Sequence, residues 1–162
     1  MNIKLIQREK PAKEDGCPRL EAAAYRELAG CLLLTNPADA LATAEHGVRL
    51  ACERGLSERL EADARRVAGL CHMAAGTMAQ DWVCYGAATR ELGDAQKLGH
   101  EALQRASEQG DLVEVPLARE CLCNVLLCRA QVEEKHGLKQ KAQESYLTLL
   151  SEANEAKLEW YS

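Results

Sequence analysis

Helix-ending glycines recur along this chain, and their recurrence limits its fold more than any other feature. The stretch 92–111 opens on Leu92-Gly93-Asp94 and closes on Gln109-Gly110-Asp111. Glycine reaches the left-handed conformation that ends a helix, and aspartate caps the helix that follows. Between these marks Ala95, Leu98, Ala102 and Ala106 fall at three- and four-residue steps, so a small-residue stripe faces a neighbour. Similar joints stand at Cys52-Glu53-Arg54-Gly55-Leu56 and at Ser151-Glu152-Ala153-Asn154-Glu155, where asparagine replaces glycine. Gly55 and Gly110 are 55 residues apart, and Asn154 follows Gly110 by 44. The difference is close to three whole helical turns, so the extra length extends a helix without rotating its apolar face. The expectation is three helix-turn-helix units over about 19–54, 57–110 and 112–157, with one extended helix over 57–92 in the middle unit.

Composition points to the same class. Apolar residues make up 47% of the 162, yet aromatics are only 4% and phenylalanine is absent, so alanine and leucine supply the apolar content. Both favour helix, and small side chains let helices approach closely. An all-α protein follows. The formal charge of −5, with both signs interspersed, lacks the basic footprint of a nucleic-acid binder. No apolar run approaches the roughly 18 residues of a membrane span, and the charged first ten residues do not read as a secretory signal. A cytoplasmic, reducing location is expected, with the eight cysteines as free thiols, seven of them in helical patterns among leucine and alanine.

Taken in order, residues 1–17 read as a mobile lead-in, with Ile3, Leu5 and Ile6 able to dock. Pro18 suits a helix start, and Leu20, Ala24, Leu28, Cys31 and Leu32 form the apolar stripe of the first helix. Thr35-Asn36-Pro37 breaks it and Pro37 opens a second, which ends at Gly55. Ser57 caps a long helical stretch whose middle is weakened by Gly76, Thr77 and Asp81, so it reads either as one extended helix or as two meeting near 75–81, with the repeat spacing favouring one. Asp111 caps a helix over 112–136, Gly137 closes it, and 138–157 forms the last, carrying Ala142, Tyr146, Leu149 and Leu150. Residues 159–162 read as the beginning of a further helix or a tail.

Trp82-Val83-Cys84-Tyr85-Gly86, then Leu92-Gly93-Asp94, then Ala102 and Ala106 resemble the tetratricopeptide repeat, whose first helix carries such residues at such steps. The period is similar to the long-repeat subclass of polarity and synaptic scaffolds and kinesin light chains. His136-Gly137 with Ala142 and Tyr146, and Asn36-Pro37 with Ala40, Leu41 and Ala44, resemble parts of further copies. The resemblance implies a right-handed α-solenoid of about three units, within a repeat domain over 18–158. It also implies a concave groove lined by the first helix of each pair, holding a peptide or helix of a protein partner. Its groove-facing steps fall here on Arg26, Arg90, Asn124, Gln131 and Lys135. Such side chains hydrogen-bond a peptide backbone or pair with acidic residues. The repeats that clamp a terminal carboxylate carry lysine and asparagine where this chain has Val83, Ala87 and Leu127, so that activity is not expected.

Little in the chain suggests chemistry. His100-Glu101-Ala102-Leu103-Gln104 lacks the second histidine that a zinc-protease helix needs. Cys71 and His72 are adjacent, about 100° apart on a helix, and cannot act as a nucleophile and base together. Cys121 and Cys128 share a helix face from which Cys123 points away, and no Cys-X-X-Cys pair occurs. No catalytic residue, cofactor or metal is expected. The leading expectation is a non-enzymatic protein-binding adaptor. The alternatives are a self-associating or structural part of a longer array, suggested by Trp160 and Tyr161, and a metal- or thiol-dependent enzyme.

Overall fold

The structure, a computed structural model, describes residues 17–76 and 81–161. The lead-in with Ile3, Leu5 and Ile6, and the side chains of Trp160 and Tyr161, lie outside the described residues. The fold is all-α. Its helices are α1 (Pro18–Leu32), α2 (Pro37–Glu53), α3 (Glu58–Ala75), α4 (Trp82–Glu108), α5 (Glu114–Lys135) and α6 (Lys139–Tyr161).

Local chemistry sets most of these ends. Pro18 and Pro37 occupy first helical turns, where their missing N–H leaves nothing unpaired. The side chains of Asn36 and Ser57 accept from the backbone N–H groups of Asp39 and Leu60, capping α2 and α3. Gly55, Gly110 and Gly137 have φ of 58°, 64° and 82°. Each closes a helix with a wide backbone bond: Leu56 to Ala51, Asp111 to Ala106 and Leu138 to Glu133, at 3.0, 3.0 and 2.9 Å.

Four expectations need correction. The favoured single 57–92 helix gives way to the alternative of two helices: α3 stops at Ala75, Gly76 is extended, and Asp81 starts α4 by accepting from Val83 and Cys84 at 3.0 and 3.1 Å. Conversely, Leu92-Gly93-Asp94 is no joint. It lies within the 27-residue α4, where Leu92 is fully buried and Asp94 is 3.7 Å from Arg65 across the interface instead of capping a helix. Asn154 lies inside α6, which runs unbroken through Tyr161, so 159–161 belong to that helix. Finally, Leu20, Ala24, Leu28 and Cys31 face outward on α1, which buries Ala22 and Ala29 instead.

Consecutive helices pack against each other throughout, and α3 packs in addition against α1 and α5. Among the described residues no even-numbered helix packs against another. Small residues make this closeness possible. Ala40, Ala44, Gly47 and Ala51 on α2 are buried at the same spacing as Ala95, Gly99, Ala102 and Ala106 on α4. A Cβ on Gly47 would stand 3.2 Å from the Tyr25 Cβ, and one on Gly99 would stand 3.3 Å from Leu122. Each stripe ends one turn before its left-handed glycine. The core is correspondingly divided. Ala29, Ala40, Ala44, Val67, Ala68 and Cys71 join α1, α2 and α3, whereas Met73, Ala88, Leu92, Cys128 and Val132 join α3, α4 and α5.

Candidate interaction face

The odd-numbered helices carry a charged ribbon across their shared side. Arg26 on α1 pairs with Asp63 on α3, and Asp63 also accepts from Arg66 Nε at 2.9 Å. Arg66 in turn reaches Cys128 Sγ on α5 at 3.9 Å. Burial works against the Arg66 charge, but the Asp63 carboxylate and Cys128 outweigh it and raise its pKa. A second tie runs beside the first: Arg59 on α3 donates twice to the Glu114 carboxylate on α5, both bonds at 3.0 Å. This fork-to-fork geometry is the strong form of the arginine–carboxylate pair.

Beside the ribbon lies a hollow of about 190 Å³ between α3 and α5, lined by Arg59, Asp63, Leu117, Glu120, Cys121 and Asn124. From its edge an exposed stripe continues along α5 through Leu117, Glu120, Asn124, Leu127, Gln131 and Lys135, all within about 80° of one another around the helix. Asn124, Gln131 and Lys135 make no hydrogen bond or ion pair with the described residues. The sequence-derived candidates therefore separate into three groups. Asn124, Gln131 and Lys135 share this stripe. Arg26 lies in the same layer but is engaged by Asp63 and, at 3.0 Å, by Glu27. Arg90 is exposed on α4, which packs on α3 and α5 but is not one of the odd-numbered helices that carry the ribbon. Sequence reasoning missed Arg59, Asp63 and Arg66. Their signal is the run Arg59-Leu60-Glu61-Ala62, which repeats Arg19-Leu20-Glu21-Ala22 and marks α3 as the counterpart of α1.

Other hollows contain ion pairs made within the chain. One, about 450 Å³, lies where Arg19 of α1 and the α2–α3 turn meet α3, α4 and α5, and contains Arg59, held by Glu114, and Arg105, held by Glu58 at 2.7 Å. Another, among α4, α5 and α6, contains the buried Glu133, which accepts from Arg129 at 3.1 Å and from Ser145 at 2.8 Å. His136, buried at the end of α5, stacks on Tyr85 with ring centroids 4.3 Å apart and meets Trp82 edge-on at 4.1 Å. This contact fastens the start of α4 to the α5–α6 turn.

All eight cysteines are free thiols. Burial pushes Cys71 up to about 11 and Cys121 to about 12, and Cys52, Cys84, Cys123 and Cys128 are also raised, with burial the largest cause. A raised thiol pKa is the opposite of nucleophilic activation. Among the described residues no three of His, Cys, Asp and Glu are grouped to hold a metal ion, and no helix is long and apolar enough to cross a membrane.

No family model, no curated protein and no solved structure matches the chain in comparison with known proteins.

Proposed function

We propose that this chain is a non-enzymatic protein-binding module: a helical-repeat solenoid that holds a segment of a partner along the exposed face of α5 and the adjoining hollow. The observation that carries the reading is the α5 stripe itself. It alternates groups that can bond a peptide backbone, Asn124 and Gln131, with apolar Leu117 and Leu127, and no described helix covers it. Packing among odd-numbered helices alone supports the solenoid, since stacked hairpins bring their first helices together on the inside of the curve. The tetratricopeptide resemblance adds support for a groove on the first helices, with its register moved so that α3, and not the beginning of α4, is the first helix of the middle unit.

The chemistry of the face describes the ligand. Its arginines are already matched to Asp63, Glu27 and Glu114, so a strongly acidic peptide has little to gain. A mixed segment offering backbone bonds and one or two apolar side chains fits better. The raised thiols favour this reading over a thiol-dependent enzyme.

Site-specific photocrosslinking tests the assignment. A benzophenone amino acid at position 127 or 131 should capture the same partner band from lysate, and one at position 90 should not. Leu127→Asp should reduce that band at least fivefold without changing the helical circular dichroism. Capture from position 90 but not from 127 would overturn the assignment.

A further inference from the structure

Helices α1 and α3 are copies of one another. Offset by 40 residues, Arg19-Leu20-Glu21-Ala22 matches Arg59-Leu60-Glu61-Ala62, and Ala24, Arg26 and Cys31 match Ala64, Arg66 and Cys71. Both helices begin at matching positions, and both bury the matched Ala22 and Ala62. Their other apolar face is treated differently. On α3, Ala64, Ala68 and Cys71 are buried, with Ala68 and Cys71 in the core shared with α1 and α2. On α1 the matching Ala24, Leu28 and Cys31 are exposed; Leu28 is 50% exposed and the neighbouring Leu20 is 70% exposed. Helix α1 thus carries a docking face of the kind α3 uses, with nothing described against it.

The complementary vacancy lies at the other end of the array. Helix α3 lies against α1 and α2, and α5 lies against α3 and α4. The next such place is between α5 and α6, where a groove of about 300 Å³ is lined by Glu134, Ala142, Gln143, Tyr146 and Leu147. Counted from the first residue of each helix, Ala142 on α6 stands where Ala40 stands on α2, and Leu150 stands where Val48 stands. Val48 packs against the core shared with α3, whereas Leu147 and Leu150 are each 59% exposed.

We infer that α1 of one copy of this chain seats in the α5–α6 groove of another, so that copies join head to tail and repeat the α2–α3 contact between molecules. The occupant is a second copy because this chain itself carries the matching face. The contact is heterologous, with a different surface from each copy, so it propagates instead of closing into a twofold dimer. The groove's lining includes neither Leu127 nor Gln131.

Sedimentation velocity on the full chain under reducing conditions provides the test. The wild type should show a weight-average sedimentation coefficient that rises with concentration past the dimer value. Leu28→Asp disables only the α1 face and Leu147→Asp only the groove, both at exposed positions, so each variant alone should stop at monomer. Mixed together they retain one good face of each kind, and the mixture should give a discrete one-to-one dimer. Circular dichroism of both variants should match the wild type. A wild type that stays monomeric at every concentration up to about 1 mM overturns the inference, and the two faces then belong to other partners. Association of the wild type with no dimer in the mixture also overturns it, because the interface would then lie elsewhere.

Discussion

At the scale of single residues, small and polarisable side chains do the work that larger apolar ones do in most cores. Cys71, Cys121 and Cys128 fill gaps between helices that alanine lines. Their chemistry follows from that position. Cys17 and Cys31 are exposed, and Cys71 is fully buried. Iodoacetamide at pH 8 and low protein concentration should therefore label Cys17 and Cys31 within minutes. Cys71, Cys121 and Cys128 should stay unlabelled until the chain unfolds, as mass spectrometry of the digested protein would report. The buried thiols also set a pH dependence. A thiol with a raised folded pKa keeps its proton in the native state after the unfolded chain has lost its own. Its contribution is therefore fully present below the ordinary value of 9.0 and is lost as pH rises toward about 11 for Cys71 and about 12 for Cys121. Denaturation midpoints should fall across that window, and the fall should be shallower in the Cys71→Ala, Cys121→Ala double variant.

At the scale of the helix, the contrast between Gly93 and Gly110 shows what a glycine in the sequence can and cannot say. Both precede aspartate, and the sequence reads both as joints. Gly110 has φ of 64° and a wide backbone bond closing across it, whereas Gly93 lies in the middle of α4 with open space where a Cβ would be. Replacing Gly110 by alanine should destabilise the protein by about 1–2 kcal/mol, the cost of a left-handed residue with a side chain. Gly93→Ala should stabilise it by about 0.5–1 kcal/mol, the difference in helix propensity. Urea denaturation of both variants measures this, and destabilisation by Gly93→Ala would restore a break at Leu92-Gly93-Asp94. What separates the two is tertiary. Leu92 is buried against α3, where a Cβ on Gly69 would come within 2.8 Å of its Cγ, and that packing holds the helix straight through Gly93. The all-α class, the left-handed Gly55 and Gly110, the helix start at Pro37 and the caps at Ser57 and Asp111 were legible because each is set by neighbours within four residues. The outward turn of Leu20 and Leu28 was not legible, since an apolar stripe at helical spacing does not say whether its cover lies in the same chain. Of the candidate face, Asn124, Gln131 and Lys135 came from the groove-facing steps that the tetratricopeptide resemblance implies, and α5 places the three on one exposed stripe. Asp63 could not be read from the sequence, because its role comes from arginines 37 residues before it and three after it.

At the scale of the whole molecule, the coupling between hairpins is carried by apolar seams and by the ribbon that crosses them. In a stacked array each hairpin contacts only its neighbours, so stability depends on a few interfaces and one weak interface can let an end unit open alone. Asp63 sits at such a place. It answers Arg26 from the first hairpin and Arg66 from its own, and its carboxylate is mostly buried. Removing its charge leaves two partly buried guanidinium groups without their shared acceptor, whereas removing Arg26 leaves Asp63 still paired with Arg66. Asp63→Asn should therefore cost about 1–3 kcal/mol, in the range of a partly buried charged hydrogen bond, and Arg26→Gln less than about 1. The place of the loss is as informative as its size. Hydrogen exchange should show protection falling first in α1 and α2 of the Asp63→Asn variant, with α4 and α5 close to wild type, because their contacts through Leu92, Cys128 and Val132 do not involve Asp63. If protection falls equally in all six described helices, the molecule unfolds as one body, and the ribbon is not a tie between separable hairpins.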